Sequence, residues 1–190
     1  EKLANDDKLS WNQFSGILQE KFTSTWLIFM IGFSVLNRFL EILKWQNLVE
    51  VVEKISLYTA TKQVLAGVTA GLFTPNGIGE YAGKALYFPK SETKRILFLN
   101  VICNGIQLII AIFFGLTGLL YLGYSYSFLI ILFLVLLLVS FLFLTKNATI
   151  KGYSVQLFIE KITEIPKEIH RKNMWLAIAR YITFSHQYYF

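Results

Sequence analysis

The longest feature of the sequence is an uncharged, apolar segment that runs from Ile96 to Thr145. A membrane-spanning helix needs about 20 apolar residues, so this segment is long enough for two spans. Glycine, tyrosine and serine interrupt it at 123–127, where a short uncharged loop is expected. The pattern therefore predicts a helical hairpin with spans at 96–122 and 128–145.

Apolar periodicity predicts several further elements. The segment 26–45 predicts a first span, with a tryptophan at each end as is typical of membrane interfaces. Residues 154–172 have one apolar face and predict a cytoplasmic amphipathic helix that Pro166 interrupts. Residues 174–190 predict the start of another span, and residues 1–21 predict a short interfacial helix.

The composition identifies the class of protein. Apolar residues make up 55% of the 190 residues and charged residues only 16%, against roughly 25% charged in a soluble domain. This balance excludes a soluble enzyme domain and a disordered tail, and the single cysteine, Cys103, excludes a disulfide scaffold. We predict an all-α fold, a polytopic transmembrane helical bundle that forms one domain over 1–190 and is part of a longer protein.

The formal net charge is +6, and the positions of the basic residues predict an orientation for the spans. Lysines and arginines flank both outer ends of the hairpin and the second end of the first span, and such clusters mark cytoplasmic loops. The hairpin loop and residues 1–21 are then expected outside. The basic residues are better explained by this rule than by nucleic acid, so no nucleic-acid partner is expected.

The segment 55–88 is interrupted in its middle by Pro75 and by closely spaced glycines. Both of its flanks are predicted to be cytoplasmic, and a single span cannot begin and end on one side. A re-entrant helical hairpin satisfies both observations, because irregular backbone at membrane depth is tolerated where it is buried in protein or lines a cavity.

The turn of this hairpin, Thr74–Gly79, is followed directly by Glu80. Thr74 suits a helix N-cap and Pro75 suits the first helical position, which would direct a helix N-terminus at an anion. Glu80 would then contact a cationic headgroup or a protein cation, and Lys84 can pair with it one turn later. The alternative is packing alone, because glycines spaced by four residues flank the turn on both sides and suit close helix contact.

Polar residues on two spans extend this candidate site. Arg38 lies three residues before Glu41 and either extends to the interface or pairs with Glu41 or Glu80. Asn100, Asn104 and Gln107 share one face of the next span, where they form interhelical hydrogen bonds or the wall of a polar cavity shared with Glu80.

No residue pattern points to a cofactor or to catalysis. His170 and His186 have no second ligand at metal spacing, and no nucleotide-binding loop or nucleophile motif is present. We expect no cofactor, no metal and no enzymatic activity.

One stretch has a family resemblance. Residues 72–81, with Thr-Pro followed by Gly-Glu, resemble the motif of the lysylphosphatidylglycerol synthase transmembrane region, a flippase-like membrane protein family. This chain has Gly77 where the family often has arginine, so the motif does not identify a substrate. The basic, tryptophan-bearing end of the first span and the stretch that begins at Arg180 and Tyr181 are also similar to family motifs.

The resemblance implies a multi-pass protein of the bacterial inner membrane that translocates a phospholipid or lipid-linked headgroup. The alternative is a non-transporting accessory subunit that binds a lipid-linked intermediate or a glycosyltransferase. Expected partners are membrane lipids, with a second copy or a membrane enzyme as further candidates. The residues expected to bind the headgroup are Thr74, Pro75, Asn76, Gly77, Gly79, Glu80, Lys84, Arg38, Asn100, Asn104, Gln107 and Arg180.

Overall fold

The computed structural model describes residues 24–148 and 154–189, together with the single residue Gly16. All regular secondary structure in these residues is helical, which confirms the predicted all-α class. Of the predicted interfacial helix at 1–21, only Gly16 is among the described residues. The helices are α1 (Ser24–Val49), α2 (Leu57–Leu72), α3 (Gly79–Ala85), α4 (Thr93–Tyr121), α5 (Ser125–Leu144), α6 (Val155–Thr163) and α7 (Lys167–Tyr189), with a 3-10 turn at Pro75–Gly77 between α2 and α3.

Three of the described helices are long and apolar enough to cross a membrane, namely α1, α4 and α5. They contain 26, 29 and 20 residues, which at about 1.5 Å per residue equals or exceeds the hydrocarbon thickness of roughly 30 Å. They match the predicted spans at 26–45, 96–122 and 128–145. α7 is outside this group and begins at Lys167, so the span predicted from residue 174 stays a prediction.

Local hydrogen bonding explains where two of the helices begin. The Ser56 hydroxyl accepts from the backbone N–H of Thr59 at 3.1 Å and caps α2, and the Ser154 hydroxyl accepts from Leu157 at 3.1 Å and caps α6. Pro166 separates α6 from α7, as predicted, because its ring and missing N–H do not allow the helix to continue through it.

The hydrophobic core lies at one end of the bundle, which we call the packed end. The end of α1, with Trp45 and Leu48, and the start of α4, with Ile96 and Leu99, are almost fully buried there against α2. The start of α7 joins them, since the Asn47 side chain donates to the carbonyl oxygen of Ile169 at 2.9 Å. By contrast, α5 has no buried residue, and its surface is a continuous apolar one.

Helices α2 and α3 form an antiparallel hairpin in close contact. A Cβ on Gly79 would lie 2.2 Å from the Ala70 carbonyl oxygen, and a Cβ on Gly83 would lie 2.9 Å from the Gly67 Cα. The predicted glycine packing is thereby confirmed for these positions. The turn of the hairpin exposes apolar side chains, with Phe73 84% accessible. That the hairpin re-enters a membrane stays a prediction.

Candidate functional site

A buried cation lies where α1, α2, α3 and α4 meet. The Lys84 side chain is 1% exposed, and its Nζ donates to Glu80 Oε1 at 2.9 Å and to Asn100 Oδ1 at 2.8 Å. The same Nζ lies 4.9 Å from the ring centroid of Trp45, whose Nε1 donates to Gln63 Oε1 at 2.7 Å. We call these five residues the lysine cluster. Its one ammonium is balanced by one carboxylate, and the predicted pairing of Glu80 with Lys84 is confirmed.

A second lysine is buried without a carboxylate. Lys44 is fully buried, and its Nζ donates to the Cys103 carbonyl oxygen at 3.2 Å and to Gln107 Oε1 at 3.0 Å. In the described part of the chain, no carboxylate lies within 4.0 Å of this ammonium. Its charge is therefore solvated by neutral oxygens alone, which is a costly arrangement at this depth.

Two arginines share one carboxylate on the facing sides of α1 and α7. Glu41 Oε2 accepts from Arg180 Nη2 at 3.1 Å and also from Arg38 Nη1, while Arg180 Nε donates to Asn37 Oδ1 at 3.0 Å. The Glu41 side chain is 6% exposed and that of Arg38 is 41% exposed. The predicted pairing of Arg38 with Glu41 is confirmed, and one guanidinium charge remains uncompensated.

These arginines line an open cavity of about 480 Å³ between α1, α4 and α7, which we call the arginine cleft. Arg38 precedes the end of α1 at Val49 by eleven residues, or about 16 Å along the helix axis. The cleft therefore lies near the middle of the helices that could span a membrane. Its lining residues are Ser34, Asn37, Arg38, Gln107, Ala111, Arg180, Tyr181, Phe184 and Gln187.

The predicted turn residues, Thr74 to Gly79, mainly stabilise the turn between α2 and α3. The Thr74 hydroxyl donates to the Ala70 carbonyl oxygen at 3.0 Å and accepts from the Gly79 N–H at 2.7 Å, which closes the hairpin. Pro75 begins the 3-10 turn, so α3 starts at Gly79 rather than at Pro75 as expected. Asn76 and Gly77 have φ of 54° and 70°, the left-handed values that the reversal of the chain requires.

The three polar residues of α4 each bind another helix. Asn100 accepts from Lys84, Asn104 Nδ2 donates to the Tyr81 hydroxyl at 3.3 Å, and Gln107 accepts from Lys44. The predicted interhelical hydrogen bonds are thus confirmed for all three. Of the three, Gln107 alone lines the arginine cleft, and Glu80 does not line it, so a polar cavity that these residues share with Glu80 stays a prediction.

The structure brings the predicted residues together as two groups rather than one. Glu80, Lys84 and Asn100 belong to the lysine cluster, whereas Arg38 and Arg180 belong to the arginine cleft. The sequence interpretation missed the buried role of three residues, Lys44, Trp45 and Gln63. Helical spacing was an available signal for the first two, because Lys44 and Trp45 follow Glu41 of α1 by three and four residues.

Comparisons with known proteins do not assign the chain to a family. No family model, no curated protein and no solved structure matched it. The resemblance to the lysylphosphatidylglycerol synthase transmembrane region therefore stays a prediction, and the case for function rests on the geometry described above.

Proposed function

We propose that this chain is part of an integral membrane lipid translocase and that the arginine cleft binds the phosphate of the lipid. The observation that carries the proposal is the charge balance of the cleft. Two guanidiniums, Arg38 and Arg180, line a cavity between α1, α4 and α7 and share a single carboxylate, Glu41. The surplus of one positive charge would be neutralised by the single negative charge of one phosphodiester.

The cost of this arrangement supports a functional interpretation. Ionisable side chains at membrane depth are expensive, and those that persist commonly mark substrate pathways. A guanidinium also presents a planar set of five donors that matches phosphate oxygens. Because Arg38 keeps 41% of its side chain accessible, it can accept a new anion without leaving Glu41. Lys44, bonded to the cleft residue Gln107, adds a further positive charge next to the cavity.

The hairpin α2–α3 is assigned a second role in the same proposal. Its turn exposes Leu72, Phe73 and Ile78, a surface suited to lipid and therefore to a re-entrant position. Glu80 keeps 24% of its side chain accessible, so it is proposed to contact the cationic part of a headgroup. In the finer form of the proposal, the protein is multi-pass, resides in the bacterial inner membrane and is related to the flippase-like family.

Leaflet exchange in proteoliposomes tests the proposal. Phosphatidylethanolamine carries both a phosphate and a cationic ammonium; it is labelled on its acyl chain with a fluorophore that dithionite reduces and is reconstituted with the protein. The accessibility of the label to dithionite is followed over time. Arg180→Gln is expected to slow exchange about tenfold or more, because a hydrogen bond to a charged group contributes ~1.5–3 kcal/mol. Arg171→Gln is the matched control, since Arg171 lies on the same helix but is exposed outside the cleft. Equal exchange by wild type and Arg180→Gln would refute the assignment of the cleft.

The alternative function is a non-transporting accessory subunit. The observation that favours it is α5, whose apolar surface is free of buried positions in the described residues and could receive a membrane partner. Absence of exchange by the wild-type protein, together with co-purification of one stoichiometric membrane protein, would replace the translocase proposal by this one.

A further inference from the structure

A second cavity lies between α4 and α6, at the packed end and away from the arginine cleft. Its volume is about 360 Å³. Its walls are formed mainly by apolar side chains, Leu97, Phe98 and Val101 of α4 with Leu157 and Phe158 of α6. The Phe98 and Phe158 rings meet edge to face, with centroids 5.2 Å apart. We call this cavity the interfacial groove.

Two lysines stand at one side of the interfacial groove. Lys94 and Lys161 line it and also line an adjoining, more polar cavity of about 320 Å³. Both side chains are exposed, and within residues 24–148 and 154–189 neither forms an ion pair. In the adjoining cavity, Glu92 is paired with Arg95 at 3.8 Å, which leaves Glu164 as the unpaired carboxylate. The lysines therefore give the boundary between the two cavities a net positive charge.

The position of the lysines matches the boundary between water and hydrocarbon. Lys94 is the second residue of α4, and the uncharged apolar part of this helix begins two residues later, at Ile96. A ligand that fills both cavities must carry an apolar chain and a negative group next to it. An anionic phospholipid has this chemistry, and basic residues at a membrane surface attract such lipids.

The exposure of α6 independently supports a lipid acyl chain in the interfacial groove. None of the nine residues of α6 is buried, and the helix nevertheless lies against α4 through Phe158. The cavity between the two helices leaves their apolar side chains incompletely covered. An acyl chain in the interfacial groove would cover them and hold α6 in position.

We propose that the interfacial groove binds one anionic phospholipid, with an acyl chain against Phe98 and Val101 and the phosphate held by Lys94 and Lys161. The site shares no lining residue with the arginine cleft and does not depend on the translocase proposal.

Native mass spectrometry of the full chain tests the site, with phosphatidylglycerol and phosphatidylcholine of identical acyl chains as probes. The wild-type protein is expected to retain phosphatidylglycerol more tightly than phosphatidylcholine. Each lysine near an anionic surface contributes about 1 kcal/mol, or about fivefold in affinity. The double variant Lys94→Gln/Lys161→Gln is therefore expected to lose about twenty-five-fold in phosphatidylglycerol affinity. The loss in phosphatidylcholine affinity is expected to be smaller, because the choline cation offsets the charge of the phosphate.

Two further variants separate this site from general attraction to a basic surface. Lys90→Gln is the matched control, because Lys90 is exposed, precedes α4 and lines neither cavity. Val101→Trp fills the groove without changing any charge, and it is expected to displace both lipids and to protect against crosslinking by a photoactivatable acyl chain.

Either of two results would overturn the proposal. The first is an equal affinity of the wild-type protein for the two lipids. The second is a loss with Lys90→Gln as large as that with the double variant. If the double variant does not fold, Val101→Trp decides alone, and unchanged crosslinking in that variant refutes the groove as the site of the acyl chain.

Discussion

The pairing of Glu80 with Lys84 allows a test of whether this hairpin serves packing or function. Within the described residues, Glu80 is the only carboxylate bonded to Lys84, whose side chain is 1% exposed, and Glu80→Gln removes it. The Lys84 ammonium would keep Asn100 Oδ1 at 2.8 Å and the Trp45 ring at 4.9 Å as its partners. Neither partner carries a negative charge, so the substitution leaves a buried cation without compensation.

The expected loss in the free energy of unfolding follows from the burial of Glu80 and Lys84. Breaking a buried ion pair by removing one member costs about 3–5 kcal/mol. The low end of this range applies, since 24% of the Glu80 side chain is accessible and water can partly solvate the site. We therefore expect the free energy of unfolding of Glu80→Gln to fall by ~3 kcal/mol. The double variant Glu80→Gln/Lys84→Met removes both charges, and we expect it to lie within ~1 kcal/mol of the wild-type protein.

The assay is reversible unfolding of the full chain in mixed micelles, with leaflet exchange measured on the same variants. We expect Glu80→Gln to abolish exchange while membrane insertion remains intact. Normal exchange by this variant would refute a headgroup contact by Glu80. The double variant distinguishes the two roles, because a pure packing role predicts that exchange returns with stability, whereas headgroup contact predicts that it stays lost. A wild-type free energy of unfolding in Glu80→Gln would refute the reasoning about the buried pair.

Three further predictions concern packing and buried polar groups, each measured as the free energy of unfolding in mixed micelles. Gly79→Ala is expected to destabilise the protein by at least ~2 kcal/mol because its Cβ would meet a carbonyl oxygen of α2 at 2.2 Å. Gly71→Ala is the control, because its Cβ would find its nearest neighbour at 3.5 Å, and equal losses would contradict the packing argument. Lys44→Met is expected to change stability by no more than ~1 kcal/mol, since it removes a buried charge that no carboxylate of residues 24–148 and 154–189 pairs with. A loss above ~3 kcal/mol would indicate an unrecognised anionic partner. Trp45→Phe is expected to cost ~1–3 kcal/mol by leaving Gln63 Oε1 without its donor, and Trp45→Phe combined with Gln63→Leu should recover part of this loss.

Apolar length was sufficient to predict the long helices. The uncharged segment and its interruption at 123–127 led to α4 and α5 with ends within three residues of those observed. The reason is physical, because a helix that is exposed to lipid on most sides must be apolar over its whole length. The same rule located α1, and the cyclic side chain of Pro166 located the break between α6 and α7.

The site was less predictable from the sequence. Its contacts depend on which faces of the helices meet in the bundle, whereas apolar length indicates only which helices can span a membrane. Lys44 is one of the basic residues at the second end of the first span, where charge placement alone indicates an exposed flanking position, yet its side chain is directed inward to Gln107, which is 63 positions away in sequence. Arg180 and Glu41 are 139 positions apart, and no periodicity in either helix reveals their contact. The start of α3 was misplaced for a local reason, since Thr74 bonds to the Gly79 N–H rather than capping a helix at Pro75.

The location of the core at the packed end has a mechanical consequence. The helices α1 and α7 are fastened near Asn47 and Ile169, while the first part of α1, from Ser24 to Leu40, has no buried side chain. The segment of α1 from Glu41 back to Ser24 extends over seventeen residues, or about 26 Å. A tilt of about 10° around the fastened end would displace the far end of α1 by about 4–5 Å, roughly half the usual distance between packed helices. In the arginine cleft, such a tilt would break the hydrogen bond from Gln187 Nε2 to Ser34 Oγ at 2.7 Å, while the ion pair of Arg180 with Glu41, closer to the packed end, remains closed.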